Sequence, residues 1–157
     1  MTEKENTHVP AREVCVTYGR NTVMNKQVVS LIRELGIEPV VMQDKKNASQ
    51  PLAQFLTEHP SIGFVAAILS ADDFVYPKEG KPGEALLRSD QKVVFHLGFW
   101  IGKLGRERVL ALYYDQRNFR RPTDYFDAIY TLLDKEGLWK KELLSRLKQS
   151  GFSPAVE

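Results

Sequence analysis

The stretch Ile62-Gly63-Phe64-Val65-Ala66-Ala67-Ile68-Leu69-Ser70 constrains this chain more than any other. It is a continuous apolar run bounded by turn signals, His59-Pro60 before it and Ala71-Asp72-Asp73 after it. A strand with one polar face can lie against water. A strand that is apolar on both faces must be covered on both, which is the signature of a parallel sheet between helical layers.

The rest of the chain supplies those layers. "EVCVTYG" (13–19) reads as a short buried strand ending at Gly19. In "RNTVMNKQVVSLIRELG" (20–36), Val28, Leu31, Ile32 and Leu35 recur at helical spacing, Asn21 or Thr22 is placed to cap the start, and Gly36 sits where a helix ends. "IEPVVMQ" (37–43) is a second strand. "NASQPLAQFLTEHP" (47–60) is a shorter helix with Ser49 as cap and Pro51 in its first turn. After the apolar run, "ADDFVYPKEGKPGEA" (71–85) is a polar loop, and a long helix is expected from about Glu84 to Lys103, ended by Gly105. "RVLALYY" (108–114) is a fourth strand, "DQRNFRRPTDYFD" (115–127) a basic, aromatic connection, "AIYTLLD" (128–134) a weaker fifth strand, and "LWKKELLSRLKQSG" (138–151) a closing amphipathic helix.

Strand and helix thus alternate about five times. Right-handed crossovers make the compact solution an α/β fold with one doubly wound, five-stranded parallel sheet flanked by helices, of flavodoxin-like order. The 157 residues suit one domain with a sizeable core. Residues 1–12 are expected to form a flexible N-terminal tail, 13–152 the domain, and 153–157 a C-terminal tail. The net charge of +2 leaves little electrostatic footprint for nucleic acid, so Arg117, Arg120 and Arg121, interleaved with Phe119 and Tyr125, are expected to be a solvated loop. The single cysteine, Cys15, cannot form an internal disulfide and reads as a buried thiol in a reducing compartment. With no signal-peptide pattern and no run near the ~20 apolar residues of a membrane span, a soluble cytoplasmic protein without a membrane partner is expected.

Familiar chemical signatures are missing. There is no GxxxxGK[ST] phosphate loop and no GxSxG elbow. Gly98, Gly102 and Gly105 fall within a helix, where packing explains them better than a dinucleotide fingerprint. His8, His59 and His96 lack metal-ligand spacing. The loop "TYGRNT" would make only a weak flavin phosphate site, whose consequence would be a yellow protein. In a doubly wound sheet, ligands bind outside the carboxyl ends of the strands. That rule selects Tyr18, Gly19, Arg20 and Asn21, the loop from Gln43 through Asp44 to Lys46, Ser70 to Asp73, and Tyr113 to Asp115.

Five segments carry a resemblance: "VCVTYGRN", "LIRELGIEPVVMQDKKNASQ", "IGFVAAILSADD", "QKVVFHLGFWIGKLGRERVLALYY" and "LWKKELLSRLKQSGF". Together they cover roughly residues 13 to 152. In these the chain resembles the bacterial TIR-like (Toll/interleukin-1-receptor-like) predicted nucleotide-binding family, effectors of cyclic-nucleotide anti-phage signalling. The resemblance implies a five-stranded TIR-like fold and NAD+ as substrate or ligand, cut at the nicotinamide–ribose bond, with no further cofactor and no metal. It also implies activation by self-association, driven by a sensor domain that binds a cyclic nucleotide; the TIR-like part is expected to fill this chain, leaving the sensor elsewhere.

Cleaving an N-glycosidic bond develops positive charge on the ribose, which a carboxylate stabilises. The resemblance implies that the carboxylate belongs to a Glu-Leu-Gly triplet; here the matching triplet is His96-Leu97-Gly98. A neutral imidazole brings no negative charge and an imidazolium would repel the forming cation. Other pocket positions also depart: Tyr18-Gly19-Arg20-Asn21 lacks the usual histidine and aspartate, Ser49-Gln50-Pro51 replaces Gly-Arg-Thr, and Lys92 replaces an asparagine. A helical wheel puts His96 on one face with Ser89, Lys92, Trp100 and Lys103, at the margin of a stripe of Val93, Leu97, Ile101 and Leu104.

His96 is therefore the candidate at the catalytic position, against the plainer reading of a half-buried histidine satisfied by a backbone carbonyl. Tyr18, Gly19, Arg20, Asn21, Asp44, Ser70, Asp73 and Trp100 are the nucleotide-binding candidates. Trp100 would stack on a base if it were not core, and Arg20 would clamp a pyrophosphate if it were not simply solvated. Asp72 and Asp73 are placed to cap a turn. Glu84, placed on the same helix about three turns before His96 and ~18 Å away along the axis, is too far to replace the missing acid. Two functions follow: an NAD+ hydrolase weakened at His96, or a catalytically silent TIR-like scaffold that assembles with itself or with an active partner.

Overall fold

The structure, a computed structural model, describes residues 10–123 and 129–155. Its elements are β1 (Glu13–Tyr18), α1 (Thr22–Glu34), β2 (Glu38–Val41), α2 (Lys45–Ala48), α3 (Leu52–Glu58), β3 (Ile62–Leu69), β4 (Asp73–Val75), β5 (Leu86–Arg88), α4 (Gln91–Leu104), β6 (Val109–Tyr113), β7 (Tyr130–Leu132) and α5 (Leu138–Gln149). Five strands form one sheet in the order β2-β1-β3-β6-β7, every pair parallel. This is the doubly wound, flavodoxin-like arrangement that the apolar run demanded.

All eight residues of β3 are buried, because alternate side chains enter different cores. Phe64, Ala66 and Ile68 join Val28 and Ile32 of α1 and Leu143 and Leu147 of α5 on one face. Val65, Ala67 and Leu69 join Phe55 of α3 and Val93, Leu97 and Trp100 of α4 on the other. Cys15 lies in this second core, where burial pushes its thiol far above the ordinary range and leaves it without thiolate character.

Local chemistry sets the element ends. The Asn21 side chain accepts from the Met24 N–H at 3.0 Å and starts α1; Gly36, at φ 73°, takes the left-handed turn that follows its end. Pro51 has no N–H to donate, and the single helix expected over 47–60 divides at this point into α2 and α3. Pro51 stands at the cap position of α3, while the Ser49 hydroxyl donates to the Lys46 carbonyl instead of capping that helix.

The long helix expected from Glu84 is corrected. Pro82–Glu84 form a single 3₁₀ turn, β5 pairs antiparallel with β4, and α4 begins only at Gln91. The Leu87 N–H donates to the Asn118 carbonyl at 2.8 Å and the Leu87 carbonyl accepts from the Arg120 N–H at 2.8 Å, so this backbone is spent sideways and stays extended. Asp90 then caps α4 by accepting from the Lys92 N–H at 2.9 Å. Glu84 is consequently not on the helix of His96, and a separation counted along one axis does not apply to it.

At the chain ends, Ala11 packs against Gly63, the Arg12 N–H donates to the Ser61 carbonyl at 2.9 Å, and the Ala155 N–H donates to the Leu35 carbonyl at 2.8 Å. These residues of the expected tails are tied to the domain; residues 1–9 and 156–157, together with His8, lie outside the described residues, as does Tyr125 of the basic connection. Among the described residues no helix is long and apolar enough to cross a membrane.

Candidate functional site

Two clefts open near the carboxyl end of β1; His96 lines the first, Arg20, Asn21 and Ser70 line the second, and Tyr18, Gly19, Asp44, Asp73 and Trp100 line neither. The first, of about 340 Å³, is lined by Met42, Gln43, Asn47, Ala48, Gln50, Leu52, Phe55, Lys92 and His96. The second, of about 420 Å³, includes Arg20, Asn21, Ser70, Asp72 and Tyr114.

In the second cleft, a carboxylate already occupies the junction. Asp72 accepts from the Arg20 N–H at 3.1 Å, the Asp90 N–H at 2.8 Å and the Ser70 hydroxyl at 2.5 Å. A Cβ placed on Gly19 would meet Asp72 Oδ2 at 1.9 Å, so only glycine permits the approach. The Arg20 guanidinium, 65% exposed, faces Asp73 at 3.0 Å and Asp90 at 3.4 Å. Asn21 is spent capping α1, and the Ser70 carbonyl accepts from the Ser89 hydroxyl at 2.9 Å. Ser70, Gly19, Arg20, Asn21 and Asp73 therefore join three loops to one another. The Arg20 N–H and guanidinium and the Ser70 hydroxyl face acids, which leaves this arginine poorly disposed toward a phosphate. Asp72, read from the sequence as a turn cap, is the center of this junction.

His96 lines the first cleft, alone among the nine candidates. Its Nδ1 lies 2.7 Å from the Thr17 hydroxyl on β1, not on a backbone carbonyl. The surrounding bonds orient the partners. The Tyr18 N–H, an obligate donor, is accepted by Gln43 Oε1 at 3.2 Å; that orientation turns Gln43 Nε2 toward Thr17 Oγ1 at 2.9 Å. Thr17 is fully buried and accepts from Gln43, and its one hydroxyl hydrogen is available to His96 Nδ1. In that tautomer the neutral ring carries its own hydrogen on Nε2. Burial, reinforced by the nearby Lys92 ammonium and opposed by Asp90, lowers the His96 pKa below the ordinary imidazole range. The ring is therefore neutral near pH 7.

The cleft lining contains one cation, Lys92, and no carboxylate. Asp90 faces Arg20 and its own helix. Asp44 is exposed at the start of α2, outside the lining.

Trp100 is corrected. It is fully buried, its indole N–H points at Met42 Sδ at 3.3 Å, and it packs edge-on with Phe99. No face of the ring is left for a base to stack on. Tyr18 contributes its backbone N–H to Gln43, and its ring packs against the α1–α5 core. Thr17 and Asn47 enter as site residues that sequence reading did not single out, whereas Gln43 was selected by its place just beyond β2 and Gln50 appeared in a pocket segment that departs from the resemblance.

A parallel sheet in this order, with a cleft beside the first strand, an intervening helix pair and the third-strand helix, defines a TIR-like α/β domain. The sequence model for "CAP12/Pycsar effector protein, TIR domain" matches residues 13–135, and the chain belongs to that family. It is also 29% identical over 162 residues to the uncharacterized protein YuaY of Escherichia coli strain K12, covering 94% of this chain and 51% of that protein. Protein tirC of Dictyostelium discoideum is 26% identical over 125 residues, covering 75% of this chain and 62% of that one. The chain thus spans between half and two-thirds of the length of these relatives.

Proposed function

We propose that this TIR-like effector domain binds NAD+ or a related nucleotide in the His96 cleft and serves bacterial anti-phage defence. In this reading, it hydrolyses the nicotinamide–ribose bond slowly because His96 stands where a glutamate is needed. One observation carries the reading: the residue matching the glutamate lies in a cleft at the carboxyl edge of the sheet, with a ring nitrogen left for a ligand. Membership in the effector family supports the defence role.

The electrostatics set the rate. A fixed anion beside the ribose stabilises the developing oxocarbenium, and removing one such preorganised group costs about two to three powers of ten. No other carboxylate lines the cleft to replace it. The same observation favors a second reading, a silent scaffold that holds nucleotide and assembles with itself or with an active partner.

Nicotinamide release from NAD+ at high protein concentration tests both. The hydrolase reading expects slow turnover that His96→Glu raises by about 100-fold or more. Turnover absent in the chain and in His96→Glu alike would leave the scaffold. Rapid turnover unaffected by His96→Ala would place the chemistry elsewhere.

A further inference from the structure

The cleft is wired in the opposite sense to a site that grips sugar hydroxyls. Recognising a ribose diol calls for an acidic acceptor, the role Asp or Glu plays in dinucleotide-binding folds. Here each polar group that points the other way has a visible cause. We assign the Thr17 hydrogen to His96 Nδ1, the tautomer in which the ring offers the cleft a donor, Nε2–H. Lys92, one helical turn before it, adds an ammonium to the same lining. Gln43 has its carbonyl oxygen committed to the Tyr18 N–H; Asn47, whose amide donates to the Val41 carbonyl at 2.7 Å, keeps its own carbonyl oxygen for a nucleoside group on the α2–α3 side, away from Lys92 and His96 on α4. The nearest acid by sequence, Asp90, is held by Arg20 and the Lys92 N–H.

A nucleotide offers three kinds of group: base edges, sugar hydroxyls and phosphate oxygens. Phosphate oxygens are the only ones that are acceptors throughout and carry charge, and a Lys with a neighbouring N–H donor is the pairing that favors them. We propose that the cleft seats the phosphate of a nucleoside phosphate between the Lys92 ammonium and His96 Nε2–H. The nucleoside then extends toward Asn47, Gln50 and Leu52 on the α2–α3 side. This rests on the nucleotide reading of the cleft given above. It goes with the second of those readings, a scaffold that holds nucleotide, since it places a phosphate, not the ribose, against residue 96. The volume of about 340 Å³ is at the small end of ligand clefts, suiting a mononucleotide-sized portion.

Calorimetric titration of the full chain with AMP, adenosine and inorganic pyrophosphate tests it at low salt, repeated with Lys92→Gln, His96→Gln and His96→Glu. Matched thermal melts check that each variant folds. AMP should bind at least about tenfold more tightly than adenosine, and added salt should weaken AMP alone. Lys92→Gln and His96→Gln should each cost AMP about tenfold while leaving adenosine unchanged, and His96→Glu should abolish the preference for the phosphate. Adenosine binding as tightly as AMP, with Lys92→Gln neutral, would overturn the phosphate site and leave the nucleotide reading standing. Pyrophosphate binding as tightly as AMP, with adenosine silent, would support the anion site and overturn the nucleotide reading. Silence from all three ligands would overturn both.

Discussion

The two clefts beside β1 sit a few residues apart in sequence and are built on opposite principles. Around Asp72, one carboxylate gathers two backbone N–H groups and a hydroxyl, and Gly19 is pressed against it. The Arg20 N–H, the Asp90 N–H and the Ser70 hydroxyl are all spent on it, so the junction joins loops. Around His96, the bonds run inward from Tyr18 through Gln43 and Thr17 to the ring and stop, and the cation Lys92 stands beside it. The first is a closed knot and the second an open one. The lesson is that the loop after the first strand, which the strand-end rule nominates for phosphate, is bonded to neighbouring loops, whereas the proposed ligand-facing groups Lys92 and His96 lie on α4.

Breaking either side should be costly where the groups are buried. The largest effect belongs to Trp100, fully buried against Met42 behind the open cleft. Trp100→Ala should lower stability by about 3–5 kcal/mol, read by denaturant unfolding, as a fully buried aromatic does. A folded variant of wild-type stability that loses only nucleotide binding would return the ring to the cleft.

Next in size is Asp72→Ala, which strips three donors of one acceptor. A loss of about 2–3 kcal/mol is expected, with AMP affinity at the His96 cleft unchanged. An equal loss of affinity would show that the two clefts are one site.

The smallest effect concerns pH. His96 has a native pKa below its unfolded value of about 6.5, so below that pH the unfolded chain takes up a proton that the native ring resists. Stability should therefore be fully present above about pH 6.5 and decline as pH falls, and His96→Gln should flatten that decline in urea melts at pH 7 and pH 5.5. An identical decline in both proteins would mean that the ring is not desolvated.

The sheet was legible because each of its strands is an apolar run too short to be a helix, and β3 has no polar face at all. The β4–β5 hairpin was not: its strands have three residues each, Phe74 points to solvent, and Leu86 and Leu87 read equally well as the first turn of α4. The wheel misplaced Trp100 for a geometric reason. At 100° per residue it lies 40° from His96 and 60° from Leu97, so spacing alone cannot assign it to cleft or core; Met42 decides. His96 was found through a resemblance, whereas its wiring was invisible, since Thr17 lies 79 residues away and Gln43 on a third segment.

That wiring also says what residue 96 is allowed to be. The threonine hydroxyl accepts from the amide on one side and has one hydrogen to give to an acceptor set opposite. A carboxylate oxygen is such an acceptor, so the wall already holds a hydrogen-bond donor suited to an acid at this position.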